Sequence, residues 1–129
     1  MPFYPLDLAQ GRIVLPAKIT GPKGPQAIDV ILDTGASITT LSHEMALAIG
    51  CSPTKASHRI EIMTASSVEL VPIVVIPTIE VLGHKVKCLE VVCHDLPSIS
   101  PVDGLLGLNF LKHFNLHLNF LTHSLDLFR

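Results

Sequence analysis

Residues Ile28 to Ser42, IDVILDTGASITTLS, decide how this chain is read. The apolar run Val30-Ile31-Leu32 suits a buried strand. It leads straight into Asp33-Thr34-Gly35-Ala36-Ser37. A carboxylate, a hydroxyl and a glycine in succession fit a strand-ending turn, with Asp or Thr capping the backbone and Gly at positive φ. They also fit an active-site loop. The tripeptide alone favours the turn, so the choice rests on the rest of the chain.

The chain has 129 residues, which points to one domain spanning 1–129 and large enough for a core without disulfide staples. Hydrophobic residues make up 48% and aromatics only 5%, so the core must be aliphatic, which favours strands. The formal net charge is -2 and no basic run is present, which argues against a nucleic-acid partner. Cys51, Cys88 and Cys93 are too few and too irregular for a disulfide framework, and read as small core hydrophobes. The opening MPFYPLDLAQGR lacks the basic and apolar regions of a signal peptide. Val71 to Ile76 is far too short to span a bilayer. A cytoplasmic protein without membrane insertion is expected.

Turn and alternation signals divide the chain into short strands. Arg12 to Thr20, with Pro16 at an edge or bulge, pairs across Gly21-Pro22-Lys23-Gly24-Pro25 with QAIDVILD. Ser42 and Gly50 bracket a short helix. His58 to Thr64 alternates, turns at Ala65-Ser66-Ser67 and returns over Val68 to Val71. A further hairpin turns at Gly83-His84, with Val86, Cys88 and Leu89 inward from its second arm. A second short helix is predicted over Asn109 to Phe114, and two alternating strands around Thr122-His123 close the chain. The sum is all-β, closed or sandwiched, with one or two short helices.

ILDTGAS, followed about seventy residues later by DGLLGLNFL, resembles a retropepsin-like (clan AA) aspartic protease subunit, the single-domain, dimer-forming type of retroviral proteases and their bacterial relatives. The order of elements extends that resemblance over nearly the whole chain. It implies a closed retropepsin-like β-barrel with a flap hairpin, and hydrolysis of polypeptides without cofactor or metal. Two carboxylates sharing one proton supply a base for water and an acid for the scissile amide. Only one Asp-Thr-Gly is present; Asp29, Asp95, Asp103 and Asp126 begin no second one. The second carboxylate must therefore come from another copy, and a two-fold homodimer places Asp33 and its mate on the axis.

The same resemblance assigns the neighbours. Asp33 is catalytic; Thr34 braces the two loops across the axis; Gly35 shapes the loop, and its amide bonds the carboxylate. Ala36 brings no hydroxyl to the carboxylate, which implies a less acidic optimum than relatives with Ser there. Leu105, Leu106 and Gly107 support the catalytic loop, and Asn109 stands where the family often has a polar residue. Thr64, Ala65, Ser66 and Ser67 lie where the family has its flap over the substrate. Here the chain departs, since retroviral flaps are rich in glycine and pepsin-type flaps carry a tyrosine. The cleft is expected to be mostly apolar, with Val30, Ile31 and Leu32 as core supports.

Other chemistries find less support. HEMAL, from His43, has Leu47 where a zinc-protease helix needs a second His. His113 and His117 flank a predicted helix end, and GPKGPQ matches no phosphate-binding loop. Ser37 and Ser42 have no evident triad partners. Two non-enzymatic readings stand beside the protease: an inactive dimerisation or peptide-binding module of the same fold, and an interaction domain with an ordinary Asp-Thr-Gly turn.

Overall fold

The computed structural model describes residues 3–56, 58–63, 65–96 and 102–129. Strands β2 (Val14–Gly21) and β3 (Gly24–Leu32) form an antiparallel hairpin around Pro22 and Lys23. Pro16 pairs only with β3, because the other edge of β2 is not engaged until Ala17. The missing amide of proline therefore costs no ladder bond there.

Chain order and sheet order then diverge. β4 (Thr39–Leu41) follows β3 in sequence, but β8 (Gly104–Leu106) lies between them, parallel to β3 and antiparallel to β4. The segment that joins β3 to β4, which carries Asp33, must therefore cross the end of β8. β7 (His84–Cys93) pairs with β4, and β6 (Val68–Val81) pairs with β7. Contact of β6 with β2 closes a six-stranded barrel of order β2-β3-β8-β4-β7-β6. β5 (His58–Met63) continues the sheet beyond β6. A separate three-stranded sheet is ordered β1 (Tyr4–Pro5), β10 (Ser124–Phe128), β9 (Asn115–Asn119).

Helix α1 (His43–Ala48) starts where Ser42 accepts a bond from the Met45 amide at 3.3 Å, and Gly50 follows its end at φ 86°. α2 (Leu108–Leu111) is shorter than the sequence pattern predicts; a turn at Lys112 and His113 takes up its last residues. Leu15, Ile19, Ile76, Val81, Val91, Leu106, Phe110 and Leu125 are fully buried in one core. Each such side chain contributes roughly 2 kcal/mol relative to exposure. Val71, Ile73 and Val92, flanked by Ile38, Ile60 and Ile62, form a second, smaller cluster.

Three sequence expectations are corrected. The arm expected to end at Val71 and the first arm of the next hairpin are a single 14-residue strand, Val68–Val81. β6 survives Pro72 because it changes partners there: β5 pairs up to Ile73, where β7 takes over. The third hairpin turns at Leu82-Gly83 rather than Gly83-His84, with φ of 50° and 83°, as a two-residue primed turn requires. Cys88 faces outward rather than inward. It takes φ 53° opposite Pro77, between the pairs Thr78↔Lys87 and Ile76↔Leu89, and this resets the alternation so that Leu89 joins Val86 inside, as expected of both, while Cys88 does not.

Candidate active site

Asp33 is the first residue beyond β3, and the barrel fixes its backbone from two sides. Its amide donates to the Leu106 carbonyl at 3.0 Å, and its carbonyl accepts from the Ala36 amide at 3.2 Å. The first bond continues the β3–β8 ladder, and the second closes a tight turn. The Gly35 amide donates to Asp33 Oδ1 at 2.9 Å. Asp33 is half-buried, whereas Thr34 and Gly35 are exposed. A side chain on Gly35 would place its Cβ 3.2 Å from Asp33 Oδ1, so the loop presents backbone to the carboxylate.

Beneath this turn, β8 and α2 lock the rest of the loop. The Leu108 amide donates to the Ala36 carbonyl at 2.8 Å, and the Asn109 amide to the Ser37 carbonyl at 3.2 Å. Thr39, the one buried polar side chain among the described residues, accepts from the Gly107 amide at 3.0 Å. It donates to Asn109 Oδ1, and Asn109 in turn donates to the Glu90 carbonyl at 2.7 Å. Gly107 has no room for a side chain: a Cβ would lie 2.7 Å from the Ile38 carbonyl carbon and 2.8 Å from Ala36 O and Thr39 N. Leu106 is buried and Leu105 half-buried beside it.

Asp103 is drawn into the same frame. Its amide donates to the Asp29 carbonyl at 2.8 Å, its carboxylate accepts from the Asp29 amide at 3.1 Å, and its carbonyl accepts from the Ser42 amide at 2.9 Å. The entry to β8 is thereby tied to both β3 and the start of α1.

A cleft of about 500 Å³ opens between this loop and β5. Ala36, Ile38, Ile60, Ile62 and Met63 make it largely apolar, and Glu61 and His94 supply its polar charge-bearing groups. His94 Nε2 lies 3.9 Å from Glu69 Oε2 on the second arm of the hairpin. Ala65, Ser66 and Ser67 are exposed at the tip and do not line the cleft; strand β5 does. Thr64 lies outside the described residues. Asp33 itself lines a second, more open depression, with Leu8, Arg12, Ile13, Ile31, Leu32 and Phe120 among others. Asp33 does not line the cleft, and no second aspartate lines either cavity.

A family model described as "gag-polyprotein putative aspartyl protease" matches residues 19–113. The chain belongs to the retropepsin-like aspartic proteases. No curated protein sequence matches it. Among solved structures, a retropepsin-like aspartic protease from Rickettsia conorii superposes with a TM-score of 0.71 at 20% identity, covering 98% of this chain and 88% of that one. At that identity the likeness concerns the fold. The closed six-stranded barrel with two short helices agrees with the fold expected from sequence.

Sequence reasoning brings Asp33 to Ala36 and Leu105 to Gly107 to attention, and the structure places both segments together. Thr39 was missed. Its role depends on Asn109, 70 positions away, and a buried threonine in a strand carries no signal of its own. His43 was weighed only as a metal ligand. Its amide and Nδ1 instead meet Asp95 Oδ1 at 3.0 and 3.2 Å. Among the described residues, no group of three or more His, Cys, Asp or Glu is placed to hold a metal ion. No helix among them is long and apolar enough to cross a membrane.

Proposed function

We propose that this retropepsin-like protein is an aspartic endopeptidase that acts as a homodimer, with one Asp33 from each subunit. The observation that carries this reading is the setting of Asp33. It stands at the rim of the barrel, held by the Gly35 amide and braced by Leu106, beside an apolar cleft.

Two such carboxylates brought together share a proton, because like charges at close range resist double ionisation. One takes a proton from water as the water attacks the scissile carbonyl. The other protonates the carbonyl oxygen; as the resulting diol collapses it takes a proton back from that hydroxyl, and the first carboxyl gives the proton it took from water to the leaving amine. The pair titrates as a unit, so the roles belong to the dyad and not to one subunit. Thr34, exposed beside the carboxylate, is available to the partner's loop in this arrangement. The extended β5 edge offers backbone groups to a peptide bound as an added strand. Three unpaired cysteines suit a reducing, cytoplasmic setting.

Replacing Asp33 with Asn tests the reading. Peptide cleavage is expected to fall by at least about three orders of magnitude while the dimer persists. Cleavage that survives would end the dyad mechanism. Purified protein that dimerises and binds peptide but cleaves none at any pH would favour the non-catalytic peptide-binding reading.

A further inference from the structure

We propose that Glu61 makes the cleft select peptides that carry a long basic side chain, Lys or Arg, close to the cleaved bond. The inference rests on the endopeptidase reading and names the substrate class of that same cleft.

Glu61 stands in the middle of β5, exposed, and lines the cleft. β5 pairs with β6 along one edge, and among the described residues no strand pairs with its other edge. A peptide bound as an added strand on that edge sets one of its side chains across from Glu61, with about 5 Å between Cβ atoms. Ile60 and Ile62 alternate to the other face and pack, with Ile38, against Val71, Ile73 and Val92. Met63 shares the Glu61 face, two residues on, and is 86% exposed. Gly35, whose amide holds the Asp33 carboxylate, lines the same cleft, so the side chain across from Glu61 belongs to a residue near the reacting bond.

The charge at this point is unbalanced. Among the described residues the Glu61 carboxylate makes no hydrogen bond and no ion pair. Arg59, two residues before it, does not line the cleft. His94 does, but its Nε2 lies 3.9 Å from Glu69 Oε2, so any positive charge there is offset. A carboxylate only accepts hydrogen bonds, and a bound peptide displaces the water that donates to it. Opposite an apolar residue Glu61 loses donors and gains none, which counts against that peptide. Opposite Lys or Arg it gains a charge-assisted bond, while the aliphatic stem lies along Met63. Opposite Asp or Glu the like charges repel.

The test begins with a peptide mixture from a digested proteome, whose cleavage sites are read by mass spectrometry. Lys and Arg should be enriched at one fixed position near the cleaved bond. Matched peptides with Lys, norleucine or Glu at that position then give kcat/KM ratios. The Lys peptide should be favoured over norleucine about 5-fold, and less at high salt. Glu61→Gln should bring that ratio to about one, and Glu61→Lys should turn the preference toward the Glu peptide. Glu44→Lys makes the same charge change at an exposed position outside the cleft and should leave the ratio as in the native chain. The same peptides are titrated into Asp33→Asn by fluorescence anisotropy, which reads selection without cleavage. Glu61-dependent binding of the Lys peptide by a chain that cleaves nothing would keep this proposal and reject the endopeptidase reading. Cleavage or binding that treats Lys and norleucine alike, or a Lys preference that survives Glu61→Lys, overturns the proposal and leaves the endopeptidase reading standing. A chain that neither cleaves nor binds any of the peptides overturns both.

Discussion

Asn109 Oδ1 accepts two hydrogen bonds from Thr39, one from its amide and one from its hydroxyl, both at 2.8 Å. The Thr39 hydroxyl accepts at the same time from the Gly107 amide, so one buried oxygen joins β4, β8 and α2 beneath the Asp33 loop. Thr39→Val keeps the shape and removes the hydroxyl. The Gly107 amide then loses its acceptor in a buried place, and a loss of about 2 kcal/mol in unfolding free energy is expected. Asn109→Ala should cost a similar amount. The double variant should lose less than the sum, because both changes break one network. Urea denaturation of the four proteins measures this.

Gly107→Ala is expected to be more damaging than its single methyl suggests. The added carbon would meet backbone atoms of Ile38, Ala36 and Thr39, which cannot rotate away as a side chain would. The loop must shift, and overpacking of this kind costs about 1–3 kcal/mol. Cleavage should fall further than stability, because the displaced segment follows Asp33 directly. Thermal unfolding and kcat/KM on one peptide, read together, separate the two effects.

Asp95 predicts an acid dependence of stability. The His43 amide holds its carboxyl below the usual range; partial desolvation opposes this, and the His43 side chain adds to it. A carboxylate depressed by folding stabilises the fold above its unfolded pKa near 4, and that contribution is lost as pH falls through the lower folded value. Asp95→Ala removes the acceptor at the first turn of α1. After allowance for its exposure, a loss on the order of 0.5 kcal/mol is expected at pH 7. The gap between native and variant proteins should shrink below about pH 4. Denaturation series at pH 7 and pH 3 check the sign.

Ala36 sets the second pH expectation. With no hydroxyl to donate to the carboxylate pair, the activity optimum should lie above about pH 3. Ala36→Ser should move the acidic limb of the pH–kcat/KM profile downward. A profile of the native protein that peaks below about pH 3 contradicts this.

The cysteines should react in a fixed order. Cys88 is exposed by its left-handed backbone and should be labelled first by a thiol reagent near neutral pH. Burial raises the Cys51 thiol, so it follows slowly. Burial, then Cys51, then Asp95 push Cys93 up to about 11, and it should react only on unfolding. Mass spectrometry of timed labelling reads the order.

Much of the molecule is legible in sequence because its signals are local. A strand that runs into Asp-Thr-Gly, the apolar step Leu105-Leu106-Gly107 and the Ser42 cap each lie within a few residues. The hairpin reading that returns only over Val68 to Val71, by contrast, splits β6, since nothing in sequence says that the strand continues and changes partner at Ile73. The alternation rule turns Cys88 inward, since a positive φ cannot be read from a cysteine. The two-residue β1 has too little pattern to be seen at all.

By itself the sequence determined the aliphatic, strand-rich character of this protein and the carboxylate at the end of a strand. Those follow from side-chain composition and short-range backbone preference. The tertiary structure decided that β8 enters between β3 and β4 and that Gly107 and Asn109 pack beneath the Asp33 loop. It also decided that Phe120 comes to lie beside Asp33. These relations join residues some seventy to ninety positions apart. Closing the barrel buries enough apolar surface to offset the entropy of bringing them together, and no local preference encodes that closure.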